Sequence, residues 1–265
     1  MTEEMLKQYW NDNATAWTEL VRAGYDVYRD HLNTPAFFEI LPSISGLSGL
    51  DIGCGEGHNT RLLTRQGARM HGIDISEVFV EYAQAEERQN PLGINYKVAT
   101  ANALPYTNEQ FDFATSFMCL MDVPNLHESL REAYRVVKPG GFFQFSIAHP
   151  CFSTPHRRNL RNESGETYAF EVGNYFAARP GVIEEWIFHS APTNVKAKFQ
   201  KFKVPVFHST LTEWLMAILQ VGFTLECINE PVPSIAIVKE IPALQDARIV
   251  SYFLHVRCRK NNEEN

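Results

Sequence analysis

The sequence predicts an α/β protein organised around a doubly wound, mostly parallel sheet, and three observations carry that prediction. Between residues 50 and 148 short apolar runs alternate with helical stretches; parallel strands need crossover connections of about a dozen residues or more, which such helices supply. The first run ends in Gly53, Gly55 and Gly57 and the second in Asp74, which puts tight turns and an acid at one edge of the sheet, where doubly wound folds bind ligands. The chain of 265 residues, 45% hydrophobic and 21% charged, can bury one large core but divides poorly into two independent domains.

In residues 3–31, Leu6, Tyr9, Trp10, Trp17, Leu20, Val21, Tyr25 and Tyr28 recur at helical spacing, interrupted by Asn11-Asp12-Asn13 and by Gly24. This predicts two or three short helices in an N-terminal cap, residues 1–42. The core, residues 43–150, opens with a Gly/Ser turn, a strand at 50–53 and a helix at about 59–66. A strand at 69–73 ends in Asp74, and Ser76 is the expected N-cap of a helix running to about Gln89, with Glu77 favourable in its first turn. Strands follow at 94–98 and 111–117, then a helix at 126–137 closed by Lys138-Pro139-Gly140-Gly141, then a fifth strand at 142–148. After His149-Pro150 the alternation stops. Residues 151–206 read as an inserted hairpin or lid with strands at 182–188 and 196–204, the second placing Lys196, Lys198, Lys201 and Lys203 on a solvated face. Residues 207–260 complete the core: a helix at 210–221 stopped by Gly222, then strands at 223–230 and 251–258.

The formal net charge of −7 disfavours a nucleic-acid partner, since such affinity comes largely from Lys and Arg neutralising phosphates; a small-molecule substrate is expected instead. No apolar run reaches the roughly 18 residues that span a bilayer, and the N-terminus MTEEMLKQYW lacks the basic-then-apolar pattern of a secretion signal. The expectation is a cytoplasmic monomer or homodimer without membrane association. Cys54, Cys119, Cys151, Cys227 and Cys258 occur singly, with no CxxC pair, and read as free thiols rather than a disulfide framework or a metal site.

The segment Leu50-Asp51-Ile52-Gly53-Cys54-Gly55-Glu56-Gly57 places an acid two residues before G-x-G-x-G. A dinucleotide fingerprint requires G-x-G-x-x-G, and His58 stands where its third glycine belongs. Four segments follow in order: Gly72-Ile73-Asp74-Ile75-Ser76, Thr100-Ala101-Asn102-Ala103-Leu104-Pro105-Tyr106, Phe111-Asp112 with Ser116-Phe117-Met118, and Arg135-Val136-Val137-Lys138-Pro139-Gly140-Gly141-Phe142. Together these motifs resemble those of class I S-adenosylmethionine-dependent methyltransferases, type 11-like, in a branch acting on small molecules. The resemblance covers residues 50–148 and extends towards the C-terminus through the late helix and strands. It implies a Rossmann-like, seven-stranded sheet with the last strand antiparallel, S-adenosylmethionine as cofactor and S-adenosylhomocysteine as product. It also implies that Asp51 lies near the methionyl amino group and that Gly53 and Gly55 approach the methionyl and ribose portions. Asp74, followed by Ile75, holds the ribose hydroxyls, Ala101 and Asn102 meet adenine, and Phe117 and Met118 border the cofactor. Most relatives carry an acid just before the alanine of the third motif; here Thr100 stands there, so either Thr100 or Asn102 takes over its contact with the adenine amino group or that contact is lost.

Methyl transfer mainly requires a nucleophile held about 3 Å from the methyl group and water kept out. If a base is used, His149, directly after the fifth strand, is the first catalytic candidate, because the unperturbed imidazole titrates near neutrality. Asp122 and His127 are second candidates; Tyr25, Tyr28 and Asp122 are candidate substrate contacts, and His208 is a candidate helix cap. The N-terminal aromatics suit a cation, Arg29 suits the methionyl carboxylate, and the run 156–161, His-Arg-Arg-Asn-Leu-Arg, suits an acidic substrate group. Core packing, capping and solvation stand as alternative uses of these residues. Two other functions remain open: a nicotinamide-dependent oxidoreductase, if the glycine spacing misleads, and a non-catalytic S-adenosylmethionine-binding protein.

Overall fold

The structure, a computed structural model, describes residues 1–177 and 179–262. Helices α1 (Glu3–Arg22) and α2 (Thr34–Glu39) precede the sheet. Strands and helices then alternate: β1 (Ser48–Ile52), α3 (His58–Arg65), β2 (Arg69–Asp74), α4 (Glu77–Gln89), β3 (Asn95–Val98), β4 (Phe111–Phe117), α5 (Leu126–Val136) and β5 (Val137–Ala148). Two hairpins come next, β6 (His156–Arg161) with β7 (Thr167–Gly173), and β8 (Arg179–Trp186) with β9 (Phe202–His208), the latter pair flanking the short helix α6 (Thr193–Lys196). The chain closes with α7 (Leu211–Gln220), β10 (Phe223–Asn229), α8 (Ile235–Glu240) and β11 (Phe253–Lys260).

Seven strands form one sheet in the order β3-β2-β1-β4-β5-β11-β10. The first five are parallel, and β11 runs antiparallel to both β5 and β10, as expected for this Rossmann-like class. Alternation along β5 sorts its side chains between two layers. Phe143, Phe145 and Ile147 pack with Leu130, Ala133, Trp214 and Ile218 from α5 and α7. Phe142 joins Phe113, Met70, Leu63, Val80 and Phe37 on the other face. Burial of each such side chain contributes about 1.5–3 kcal/mol. Among the described residues no helix is long and apolar enough to cross a membrane.

Ser76 caps α4 by accepting from the Phe79 amide, and Thr210 with Glu213 forms a capping box at α7. That box displaces His208 from the capping role expected of it. The N-terminal segment also differs from expectation: α1 is one helix of 20 residues that passes through Asn11-Asp12-Asn13 without a break. Tertiary bonds offset the weak helix propensity there. Asn11 Oδ1 accepts from Ser76 Oγ at 2.8 Å, and the Asn13 carboxamide donates to the Lys203 carbonyl and accepts from the Lys203 amide, both at 3.0 Å. In the insertion, β9 begins only at Phe202, and Lys196 ends the short helix α6 begun behind Pro192, so the expected strand over 196–204 with its single face of lysines does not form.

Candidate functional site

Parallel register brings the ends of β1, β2 and β4 together, with Asp51 level with Gly72 on one side and Thr115 on the other. Asp51 is buried, accepting hydrogen bonds from Thr60 Oγ1 at 2.6 Å and Thr115 Oγ1 at 3.0 Å. Asp74, at the end of β2, accepts from the Gly55 amide and the Ser76 amide, each at 2.9 Å. Asp74 thereby clamps the glycine loop to the next loop of the sheet edge. Burial pushes both carboxyls up to about 6, against the lowering effect of those hydrogen bonds. Neither is ion-paired among the described residues, so each retains its attraction for a cation.

The glycines divide their work. Gly55 has φ +53°, and a Cβ there would meet nothing within 4 Å, so bare backbone faces open space. At Gly53, φ +75°, a Cβ would lie 2.3 Å from Cys119 Sγ; this glycine makes room for the loop after β4. That loop holds Met118 at φ +49°, fixed by its amide donating to the Ser146 carbonyl at 2.9 Å. A non-glycine residue in this region carries backbone strain of about 1 kcal/mol or more, a pattern concentrated at functional sites.

These groups open into one cavity of about 1010 Å³, near the upper end of the range for small-molecule sites. Of the residues anticipated from sequence, Tyr25, Tyr28, Asp51, Gly53, Gly55, Asp74, Ile75, Ala101, Phe117, Met118 and Asp122 all line it, as do Thr100 and Arg29. Asn102 does not: its carboxamide oxygen accepts from Ser129 Oγ at 2.5 Å and ties the loop to α5. Of the two residues offered for the adenine edge, Thr100 is the one at the cavity wall.

His149 is the main correction. Strand alternation turns Ala148 and Pro150 to the cavity and sends the His149 ring the other way. Its Nε2 pairs with Glu230 Oε1 at 2.6 Å and its Nδ1 accepts from the Cys151 amide at 3.2 Å, a structural arrangement at the end of β5. His127 lies on α5 beside Arg131, and the Arg29 guanidinium is engaged by Asp30 at 2.7 Å, the Val21 carbonyl at 3.2 Å and Glu56 at 3.6 Å. Asp122 is buried, and desolvation followed by the nearby charge of Glu184 raises its carboxyl well above the usual range.

Sequence reading missed Asn33, His58, Trp186, Phe188 and His189, all of which line the cavity. Asn33 is buried, donating to Ser146 Oγ and accepting from His255 Nε2; burial and the charge of Arg29 lower His58 to about 4, leaving it neutral. His208 lines the cavity too, and its Nε2 bonds the Tyr175 carbonyl at 2.7 Å. A carbonyl only accepts, so Nε2 bears a proton, and Nδ1 is the nitrogen left to accept one in the neutral ring. Among the described residues no group of three or more His, Cys, Asp or Glu side chains is placed to hold a metal.

The donor set fits S-adenosylmethionine, which presents a sulfonium and an ammonium: two uncompensated carboxyls and a bare-backbone loop share one cavity. Fold and site define the class, and the chain carries a class I S-adenosylmethionine-dependent methyltransferase domain, with residues 50–145 matching the family described as a methyltransferase domain. An S-adenosylmethionine-dependent methyltransferase from Mesorhizobium loti superposes with a TM-score of 0.69 at 27% identity, over 85% of this chain and 96% of that one. A ubiquinone biosynthesis O-methyltransferase of Pseudomonas entomophila is 37% identical over 105 residues, 39% of this chain and 45% of that protein. One from Coxiella burnetii is 28% identical over 165 residues, 59% of this chain and 69% of that protein. The match thus spans about half to two thirds of the length of these curated relatives.

Proposed function

We propose that the protein transfers a methyl group from S-adenosylmethionine to a hydroxylated small molecule, as a monomer or homodimer in the cytoplasm. The observation that carries the reading is the continuity of the cavity: the acidic glycine-loop crevice and a wall of Trp10, Trp17, Trp186, Phe188 and Phe207 belong to one space. When bound, the cofactor supplies an electrophilic methyl group on sulfur. In this reading Asp51 receives the amino group and Asp74 the ribose hydroxyls, with Gly53, Gly55 and Ile75 beside them. Thr100 and Ala101 border adenine, and Phe117 and Met118 keep water from the reacting atoms.

Residues 1–42 and 151–206 serve as covers on a core formed by 43–150 and completed by 207–260. His208 Nδ1 replaces His149 as the proton acceptor, Asp122 faces the acceptor from the cavity wall, and Tyr25 and Tyr28 shape its seat. The name of the curated relatives supports an oxygen nucleophile. The net charge of −7 supports a small acceptor over a nucleic acid.

The test is incubation of the purified chain with methyl-labelled S-adenosylmethionine and a panel of hydroxylated small molecules, with products read by mass spectrometry. Labelled product and calorimetric binding of S-adenosylhomocysteine are expected. Binding with no transfer to any acceptor would leave a non-catalytic binder, and binding of NAD in place of S-adenosylhomocysteine would make the site a nicotinamide one.

A further inference from the structure

Alternation along β6 splits its charged run into two faces. On the outer face His156 and Arg158 share Glu171, at 2.7 and 2.9 Å. On the inner face Arg157, Asn159 and Arg161 line the cavity. One carboxylate serves that inner face: Asp246, which accepts from Asn159 Nδ2 at 2.6 Å and lies 3.9 Å from Arg161. Arg157 has none of it. Its guanidinium sits over two rings, 4.4 Å from the centroid of Tyr252 and 4.8 Å from that of Phe170, and it makes no hydrogen bond or ion pair among the described residues.

Tyr252 is itself stacked on Tyr28 at 5.1 Å, and the Tyr28 hydroxyl is spent on the Ala243 carbonyl at 2.7 Å. Burial raises both phenols further above their usual range, so neither is an anionic partner at neutral pH. The rings hold the guanidinium plane in place while its N–H groups remain unspent. A fixed, half-buried guanidinium is preorganised for a planar or tetrahedral oxyanion, which it binds through two parallel hydrogen bonds. A cationic group left without a carboxylate inside a cavity rich in acids is a costly arrangement unless a ligand completes it.

We infer that the acceptor carries an anionic group, a carboxylate or a phosphate, seated on Arg157 beside the cavity wall of Tyr252. This rests on the proposed small-molecule acceptor and narrows it to an acidic compound with an apolar body.

Four probes in matched pairs test it: benzoate against benzamide, and phenyl phosphate against phenol, titrated calorimetrically into the full chain with and without S-adenosylhomocysteine. At least one anion is expected to bind about tenfold or more tightly than its neutral mate, and the stronger pair tells carboxylate from phosphate. Arg157→Met is expected to bring that pair within about twofold and Arg157→Lys to retain part of the preference. Arg158→Met, on the outer face of the same strand, keeps all of it. S-adenosylhomocysteine affinity, unchanged in every variant, reports an intact fold and a separate cofactor site. A wild-type protein that takes up neither anion or shows no preference overturns the inference, as does a preference that survives in Arg157→Met. Failure of S-adenosylhomocysteine to bind would instead sink the cofactor reading, and the titrations without it would still decide the anion seat.

Discussion

The acidic glycine-loop crevice and the aromatic wall of the same cavity are held together over very different stretches of chain. Asp74 is fixed by Ser76, two residues away, and Gly55, 19 away, while Asp51 is fixed by Thr60, nine away, and by Thr115 on the neighbouring strand, 64 away. The aromatic wall instead joins Trp17 to Trp186, Phe188 and Phe202, with ring centroids 4.8–5.3 Å apart. Beside it Asn13 bonds Lys203 across 190 residues of sequence. The first region positions charge through backbone amides and short hydroxyl side chains. In the second, apolar surface is buried between segments that carry no shared motif. The acidic crevice is therefore tied within the first half of the chain, whereas the aromatic wall needs both halves.

The largest expected effect probes the wall. Phe202, fully buried, touches Trp17, Trp186 and Phe188, and Phe202→Ala should cost about 3–5 kcal/mol of unfolding free energy. Denaturant titration checks this, and S-adenosylhomocysteine affinity should hold within about threefold if the two regions are as separate as their construction indicates. Gly53→Ala acts on the crevice: the added methyl meets Cys119 and the backbone has positive φ, so a loss of about 1–3 kcal/mol is expected. Pairing it with Cys119→Gly should recover the steric part and leave the backbone part.

Asp74→Ala should weaken S-adenosylhomocysteine binding by at least about tenfold, or ~1.4 kcal/mol, in calorimetry; unchanged affinity would remove Asp74 from the ribose. The smallest effect is on pH. Asp51 and Asp74 titrate near 6 in the folded chain, above their ordinary value of 3.8, so the native state holds protons that the unfolded state has released. Stability from these groups therefore falls as pH rises from about 4 to about 6. Wild type should lose melting temperature relative to Asp51→Asn between pH 4.5 and 6.5, a difference that scanning calorimetry reads directly. Affinity for the cationic S-adenosylmethionine moves the opposite way, rising through pH 6 and levelling above it, because the ionised carboxylates attract it.

The crevice was legible in the sequence because its spacing is its mechanism: strand, acid, glycines, then a second acid one strand later. The parallel part of the sheet followed from the same alternation and its antiparallel strand from the family resemblance, while the strand order is seen only in the structure. His149 misled because distance along the chain put it at the right sheet edge while strand alternation turned its ring to Glu230. The helical path through Asn11-Asp12-Asn13 was hidden because its support comes from Ser76 and Lys203. Arg157 sat in a run that was noticed, yet only the hairpin register, with Arg157 opposite Val172, tells which of its arginines face inward.

The Asn13 carboxamide, bonded to both backbone groups of Lys203, sets an order of events during synthesis. Helix α1 leaves the ribosome first, but its anchor follows 190 residues later, roughly 10–40 s at translation rates of about 5–20 residues per second. For most of that interval Trp17 waits for Trp186, Phe188 and Phe202, while Trp10 already has Phe79 to pack on.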